Sequence, residues 1–180
     1  MRPKSVLVFC GARPGNDPNY MAAAHDLGAK LANAKMRLVY GAGDVGLMGE
    51  VARSSQNHGG ETFGVIPQHL VDIEVGKTDL SRYIVTETMH ERKKVMFMNT
   101  DAVVVLPGGA GSLDEFFEVL TWGQLDLHKK PIYILNTNGY WTKLINLIDH
   151  IIDEGFADKS LKSSFQVVDT VDDLMTALSA

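Results

Sequence analysis

Two glycine-rich segments of this chain have the residue types and spacing of ligand-binding turns. Residues 41–49 read Gly-Ala-Gly-Asp-Val-Gly-Leu-Met-Gly, and residues 107–115 read Pro-Gly-Gly-Ala-Gly-Ser-Leu-Asp-Glu. Glycine has no Cβ, so the backbone can turn sharply and approach a ligand closely. A helix that follows such a turn offers unpaired N–H groups and a partial positive charge, which favour a phosphate. Two such turns in one domain indicate a ligand of nucleotide size, although two purely structural turns remain an alternative.

The second segment ends in a carboxylate with two possible roles. Ser112 and Glu115 have the spacing of a capping box, in which the glutamate would hydrogen-bond the start of its own helix. Alternatively, Glu115 lies in the first helical turn beside the phosphate-binding segment and acts on the bound ligand. The local sequence does not decide between these roles.

A cationic run, Arg92-Lys93-Lys94, follows His90 and Glu91 near the start of a predicted helix. Three cations there oppose the helix dipole unless they face an anion. A solvated basic face is the commoner explanation of such a run. Together with the glycine turns, however, an anionic ligand becomes the better explanation, and the planar fork of Arg92 suits one.

The first turn also matches the dinucleotide-binding pattern through Gly41, Gly43 and Gly46, with Glu61 near the spacing of a ribose-binding acid. This match keeps a dinucleotide-dependent oxidoreductase as an alternative, although the turn follows the second predicted strand instead of the first. The six histidines form no pair at ligand spacing, and Cys10 is the one cysteine. We therefore expect neither a metal nor a cofactor.

These residues must be positioned by alternating strands and helices. Buried-looking strands are predicted at residues 5–10, 37–40, 62–66, 102–106, 131–135 and 165–168. A helix that follows a loop ending at Pro18 is predicted to run to about residue 31, and further helices are predicted at 47–58, 90–99, 112–125, 140–154 and 171–178. The alternation predicts an α/β fold, a parallel sheet with helices on both faces. Residues 68–87 fit no element and are predicted to form a binding loop.

Composition limits the class of protein. The chain of 180 residues is 45% hydrophobic and carries a formal net charge of −5. This length and apolar content favour one globular domain over residues 1–180 and exclude disorder. The acidic balance argues against nucleic acid as a partner. No apolar run reaches the length of a membrane span or a signal peptide, so we expect a cytoplasmic protein without a membrane partner.

The motifs together resemble the Lonely Guy (LOG) family, the cytokinin riboside 5′-monophosphate phosphoribohydrolases once described as lysine decarboxylases. The family pattern P-G-G-x-G-T-x-x-E is met at residues 107–115, with Ser112 for Thr. The pattern G-G-G-x-x-G-L-M-G is met at residues 41–49, with Ala42 for Gly, and Arg92-Lys93 also match. The resemblance extends from residue 6 to residue 156 and covers nearly the whole chain.

The resemblance implies a Rossmann-like parallel sheet, a homodimer, and hydrolysis of the N-glycosidic bond of AMP and N6-prenylated adenosine monophosphates. It implies that Arg92 and Glu115 form the catalytic pair. It also implies substrate contacts, besides these two, from Gly43, Glu74, Lys93, Gly108, Gly109, Ala110, Gly111, Ser112, Leu113, Asp114 and Thr121. The expected partner is a small nucleoside monophosphate.

The segment after Cys10-Gly11 departs from the family pattern. The family usually has a serine-rich stretch there, whereas this chain has Ala12-Arg13-Pro14. If this segment contacts phosphate or base, the substrate preference differs from that of a typical member, or Arg13 supplies a charge of its own. A non-catalytic nucleotide or cofactor carrier on the same fold remains the main alternative to the hydrolase.

Overall fold

The computed structural model describes residues 4–71, 73 and 76–180, which are built around one β-sheet. Within these residues the sheet has seven strands: β1 Ser5–Phe9, β2 Arg37–Tyr40, β3 Thr62–Pro67, β4 Arg82–Thr86, β5 Ala102–Val105, β6 Ile132–Leu135 and β7 Gln166–Val168. Neighbouring strands are parallel and lie in the order β4-β3-β2-β1-β5-β6-β7.

In the described residues an α-helix follows every strand except β3, which is followed by a short 3-10 segment. The helices of the described residues are α1 Pro18–Asn33, α2 Gly46–Asn57, α3 Met89–Met98, α4 Ala110–Gln124, α5 Thr142–Asp153 and α6 Val171–Ser179, with short 3-10 segments at Gln68–Leu70, Thr137–Gly139 and Lys159–Ser164. None of these described helices combines the length and the apolar composition needed to cross a membrane.

Strand β1 shows how the sequence builds a layer on each face of the sheet. All five of its residues are buried, and successive side chains point to opposite faces. Val6 packs in one apolar cluster with Leu27 of α1 and with side chains of α2 and α6, whereas Leu7 packs in a second cluster with Phe116 of α4 and with side chains of α3 and α5. The predicted Rossmann-like α/β fold is confirmed.

The prediction of six strands is wrong, because β4 lies inside the stretch predicted as a loop. The sequence of β4 is β-branched and aromatic, as strands favour, but the strand lies at the sheet edge and pairs only with β3 among the described strands. Only Thr86 of its five residues is buried, and Ile84 and Val85 are exposed. An edge strand therefore lacks the continuous apolar run that identified the interior strands.

Two helices begin two residues away from their predicted starts, and both changes affect the site. Helix α4 begins at Ala110 and has Gly109 as its N-cap, two residues before the predicted start at Ser112. Helix α5 begins at Thr142 instead of residue 140, because Asn138 has a φ of 51° inside the preceding 3-10 segment. Tyr140 is consequently a loop residue.

The strand order reverses beside β1. The chain builds β2, β3 and β4 on one side of β1 and then returns to place β5 on its other side. In open parallel sheets, ligands bind at such a reversal, in the crevice beyond the carboxyl ends of the strands. Here the loops after β1 and β5 meet directly, because Gly11 N donates a hydrogen bond of 3.0 Å to Pro107 O.

Candidate active site

A cavity of about 780 Å³ opens at this reversal, at the carboxyl edge of the sheet. Its walls come from the loops after β1, β5 and β6 and from the first residues of α2, α3 and α4. The described residues that border it are residues 10–17, Tyr20, Leu47, Met48, Leu70, Met89, Arg92, residues 107–109, Gly111, Ser112, Asp114, Glu115 and Tyr140.

The amino end of α4 is open toward this cavity. A Cβ added to Gly109 or to Gly111 would meet no heavy atom within 4 Å, and neither glycine has a positive φ. Gly108 is closely packed instead, because a Cβ there would overlap the Ser112 hydroxyl. The first backbone N–H groups of a helix lack intrahelical partners, so this open end is suited to bind an anion.

Ser112 and Glu115 do not form a capping box. With Gly109 as the N-cap, Ser112 is the third helical residue and Glu115 lies in the second turn, out of position to cap the helix. Glu115 borders the cavity, one turn of α4 beyond Gly111. The capping-box interpretation of Ser112 and Glu115 is therefore wrong, and the role of Glu115 as a carboxylate that acts on the ligand stays a prediction.

The capping box of this region belongs to α3. The Thr88 hydroxyl accepts a hydrogen bond from Glu91 N, and the Glu91 carboxylate accepts one from Thr88 N and one from Glu87 N. An acidic residue in the first turn favours the helix dipole. Glu91 therefore offsets the unfavourable effect of the following cationic run on the helix dipole.

Arg92 is held rigidly at the border of the cavity. Its side chain is buried, with Nε donating to Val65 O at 3.0 Å and Nη2 donating to Gly41 O at 2.7 Å. A Cβ at residue 41 would overlap Arg92 Nη2, so only glycine leaves room for the guanidinium. The first glycine turn thus positions Arg92.

The amino end of α2, unlike that of α4, is already occupied. Leu47 N and Met48 N donate to Gly11 O, at 3.1 and 3.3 Å. Gly46 has a φ of 57°, and a Cβ there would overlap the backbone of residues 12 and 13. The first glycine turn is therefore packed against the chain itself, and the helix end that follows it is not open to a phosphate as that of α4 is.

The dinucleotide interpretation also fails at Glu61. This residue immediately precedes β3, at the amino edge of the sheet, where it lies 3.7 Å from Arg37 and 4.0 Å from Arg82. The cavity lies at the opposite, carboxyl edge. Glu61 therefore cannot bind the ribose of a ligand in this cavity.

Lys93 faces helix α4 and is not among the described residues bordering the cavity. Its Nζ lies 3.0 Å from Asp114 Oδ2 and 3.1 Å from Glu118 Oε1. Burial alone would lower the pKa of Lys93, but the hydrogen bonds to the two carboxylates outweigh it and raise that pKa. Lys93 orders the first turns of α4, and its contact with a ligand stays a prediction.

The other predicted contacts divide into two groups. Gly108, Gly109, Gly111, Ser112, Asp114 and Glu115 border the same cavity as Arg92. The second group does not border the cavity. Gly43 is buried and forms a β-bridge with Gly76, and Thr121 is exposed on a later turn of α4. Ala110 and Leu113 lie on the first turn of α4. Glu74 lies outside the described residues. These contacts stay predictions.

Two tyrosines that were not predicted from the sequence, Tyr20 and Tyr140, also border the cavity. Tyr140 Oη donates to Gly108 O at 2.6 Å, and the ring packs edge-to-face on Tyr20 with centroids 5.3 Å apart. Nearby, Asn138 Nδ2 donates to Asp17 Oδ2 at 2.8 Å. The Asn138 amide and the backbone N–H of Asn19 lower the pKa of Asp17. These contacts connect the loop after β6 to those after β1 and β5.

An apolar wall completes the cavity, formed by Leu47, Met48, Leu70 and Met89. Neither methionine is predicted from the sequence to border a site, because an apolar side chain at helical spacing has no signal that distinguishes a core from a cavity wall. For Met89 a weak signal exists: it precedes Arg92 by three residues and so shares its face of α3.

Comparison with known proteins identifies a matching family model and relatives that align with nearly the whole chain. Residues 48–178 match the family model described as "Possible lysine decarboxylase". A rice (Oryza sativa subsp. japonica) protein named probable cytokinin riboside 5′-monophosphate phosphoribohydrolase LOG4 is 41% identical, covering 98% of this chain and 76% of the rice protein. The cytokinin riboside 5′-monophosphate phosphoribohydrolase of Rhodococcoides fascians is 42% identical, covering 98% and 89%. The chain belongs to the LOG family.

The residues that the family model matches include Arg92 and the turn at residues 107–115, but they do not include residues 11–17. Among solved structures, the molybdenum cofactor binding protein from Rippkaea orientalis is similar, with a TM-score of 0.72 over 99% of this chain and 96% of that chain. At 20% sequence identity, this similarity shows a shared fold and no shared ligand.

Proposed function

We propose that this LOG-family chain hydrolyses the N-glycosidic bond of AMP and of N6-modified adenosine 5′-monophosphates, releasing the free base and ribose 5-phosphate. The observation that carries the proposal is the arrangement along α4. Its amino end opens on the cavity at Gly109 and Gly111, and Glu115 borders the same cavity one turn later. The names of the relatives support the substrate class.

The 5′-phosphate binds at the amino end of α4 in this proposal. Backbone N–H groups there point toward the cavity, and the helix dipole favours a negative charge. The rise of 1.5 Å per residue places Glu115 about 6 Å further along the helix than Gly111. A phosphate at the first turn therefore brings the ribose, and with it the anomeric carbon, toward the Glu115 carboxylate.

Glu115 is the proposed catalytic carboxylate. As the bond from C1′ to the base nitrogen breaks, its electron pair leaves with the base and positive charge develops on the ribose. A carboxylate beside the ring stabilises that charge and accepts a proton from the water that attacks C1′. The base takes up a proton and leaves, and the water oxygen becomes the new hydroxyl of ribose 5-phosphate.

Arg92 is the second member of the proposed catalytic pair. The carbonyls of Val65 and Gly41 fix its guanidinium, so its orientation is set before a substrate arrives. Arginine remains charged even when it is buried. We assign to this fixed charge the task of holding the anionic end of the substrate relative to Glu115, while the base lies against the apolar wall.

The proposal is tested by incubating the purified chain with AMP, and separately with isopentenyladenosine monophosphate, and following the free base by chromatography. We expect release of adenine and of isopentenyladenine together with ribose 5-phosphate. Binding of AMP without release of a base would instead support a carrier, and a protein that binds NAD but not AMP would support the oxidoreductase.

A substitution at Gly111 tests whether the amino end of α4 binds the phosphate. We expect Gly111→Val to remove AMP binding, because the branched side chain fills the space that the phosphate would occupy. The fold should survive, since a Cβ meets no heavy atom within 4 Å and φ is not positive. Thermal melting with and without AMP measures both effects.

Gly123→Val is the matched control on the same helix. Gly123 does not border the cavity, and a Cβ there would lie 3.5 Å from His128 Nε2, an ordinary contact. This control should keep the stabilisation by AMP that the wild type shows. If Gly111→Val also keeps it, the turn at residues 107–112 is structural only.

The resemblance to the LOG family further supports the proposal of a cytoplasmic homodimer. Met98, Leu125 and Leu127 are 70%, 64% and 68% exposed near the carboxyl ends of α3 and α4, where apolar side chains favour a protein contact. Light scattering on a size-exclusion column should give twice the mass of the chain; the mass of one chain would rule the dimer out.

A further inference from the structure

The loop after β1 is fixed between the two glycine turns. Gly11 N donates to Pro107 O, and Gly11 O accepts hydrogen bonds from the first residues of α2. A Cβ on Gly11 would already lie 3.3 Å from Gly108 Cα. The backbone of residues 11–13 therefore lies against both turns, and it carries the side chain of Arg13 to the cavity.

Arg13 has a fixed backbone and an unengaged side chain. Gly46 is the residue that makes room for the backbone N of Arg13, and Pro14 restricts Arg13 to extended conformations. The side chain is exposed, and no hydrogen bond or ion pair joins its guanidinium to another residue in the described part of the chain. It is thus available to a ligand.

The net charge of the residues that border the cavity indicates why the available Arg13 side chain matters for binding an anion. The described residues that border it include two cations, Arg13 and Arg92, and three carboxylates, Asp17, Asp114 and Glu115. Arg92 is fixed by two backbone carbonyls, so it can present its charge to a ligand in one orientation only. A phosphate with a charge of about −2 therefore enters a border that is net negative, where Arg13 is the cation able to reorient.

We propose that Arg13 binds the 5′-phosphate together with the amino end of α4 and sets the preference of this chain for doubly charged phosphate esters. The inference rests on the proposed function, because it takes the phosphate of that substrate as its ligand. Arginine binds phosphate oxygens through two parallel N–H donors, which gives both affinity and orientation. Arg13 is a specificity-determining residue, and Glu115 remains the group at the reacting carbon.

The test compares Arg13→Ser with the wild type by calorimetric titration of AMP, ribose 5-phosphate and adenosine. We expect Arg13→Ser to bind AMP and ribose 5-phosphate about 10- to 100-fold more weakly, as the loss of a charge-assisted hydrogen bond predicts. Adenosine affinity should stay within twofold. In the turnover assay, KM for AMP should rise while kcat changes less than threefold. Arg13→Lys should recover part of the affinity, since it restores the charge without the fork.

Two further measurements separate a phosphate contact from a structural role. The second ionisation of a phosphate ester lies at a pH of about 6, so wild-type affinity for AMP should increase as pH rises through that value. In Arg13→Ser this increase should be smaller. Added salt should weaken AMP binding more steeply in the wild type, because an exposed charge contact is screened.

Arg82→Ser is the matched control, because Arg82 is also an exposed arginine but lies on the edge strand β4, where its side chain is 4.0 Å from Glu61. It should bind AMP as the wild type does. An AMP affinity of Arg13→Ser within twofold of the wild type, or an equal loss for adenosine, would overturn the assignment. A wild type that binds AMP through Arg13 but releases no adenine would overturn the proposed hydrolysis and leave the role of Arg13 supported.

Discussion

The Glu115→Gln variant should bind AMP and melt near the wild-type temperature, yet release adenine at least a hundredfold more slowly. Loss of general acid–base catalysis typically costs about 10²–10⁴-fold, and loss of the negative charge beside the developing cation adds to this cost. Glutamine has nearly the same shape and still forms hydrogen bonds. Because Glu115 lies in the second turn of α4 and does not cap it, the helix loses no cap.

Glu118→Gln is the control for this experiment. Glu118 lies on the same helix, pairs with Lys93 and does not border the cavity. We expect its rate of adenine release to stay within a few-fold of the wild-type rate. Single-turnover rates together with AMP affinity separate chemistry from binding. If Glu115→Gln turns over at a near-normal rate, the proposed mechanism is wrong.

Adenosine should be a much poorer substrate than AMP, by about two to four orders of magnitude in kcat/KM. The nucleoside lacks the phosphate that would accept hydrogen bonds from the amino end of α4. Two charge-assisted hydrogen bonds of about 1.5–3 kcal/mol each account for a loss of this size. The measurement is the release of adenine from each substrate at concentrations far below KM.

Gly111→Val supplies an internal check on this comparison. If the phosphate binds at α4, the substitution should lower kcat/KM for AMP steeply and leave the already slow reaction of adenosine nearly unchanged, so that the ratio approaches one. Equal turnover of adenosine and AMP by the wild type would contradict the phosphate assignment, whatever the behaviour of the variant.

The interior of the fold and the α4 turn could be predicted from sequence because their signals are local. A strand buried on both faces is a continuous apolar run, and β1 and β5 both have one. In the turn at residues 107–115, glycines at fixed spacing before a helix indicate the geometry of the backbone. Edge strand β4 carried no comparable signal, because it has one neighbouring strand in the sheet and its Ile84 and Val85, on opposite faces, are both exposed.

The roles within the site depend on contacts between distant residues, and the sequence could not supply them. Gly41 and Gly111 belong to similar motifs, yet one accommodates Arg92 and the other faces an open cavity. The difference arises because Gly11 O caps α2, whereas α4 has no equivalent partner in the described residues. Likewise, the choice between Ser112 and Gly109 as the N-cap depends on where the backbone turns, which residue preferences leave open.

The contact between Gly41 and Arg92 has an evolutionary consequence. Although 51 positions separate them, the guanidinium occupies the volume that any side chain at position 41 would need. A lineage that keeps the Arg92 guanidinium in this position is therefore expected to keep glycine at position 41, because a side chain there would require the guanidinium to move. The two positions should be inherited as one unit, with Gly41 under selection for the space it leaves empty.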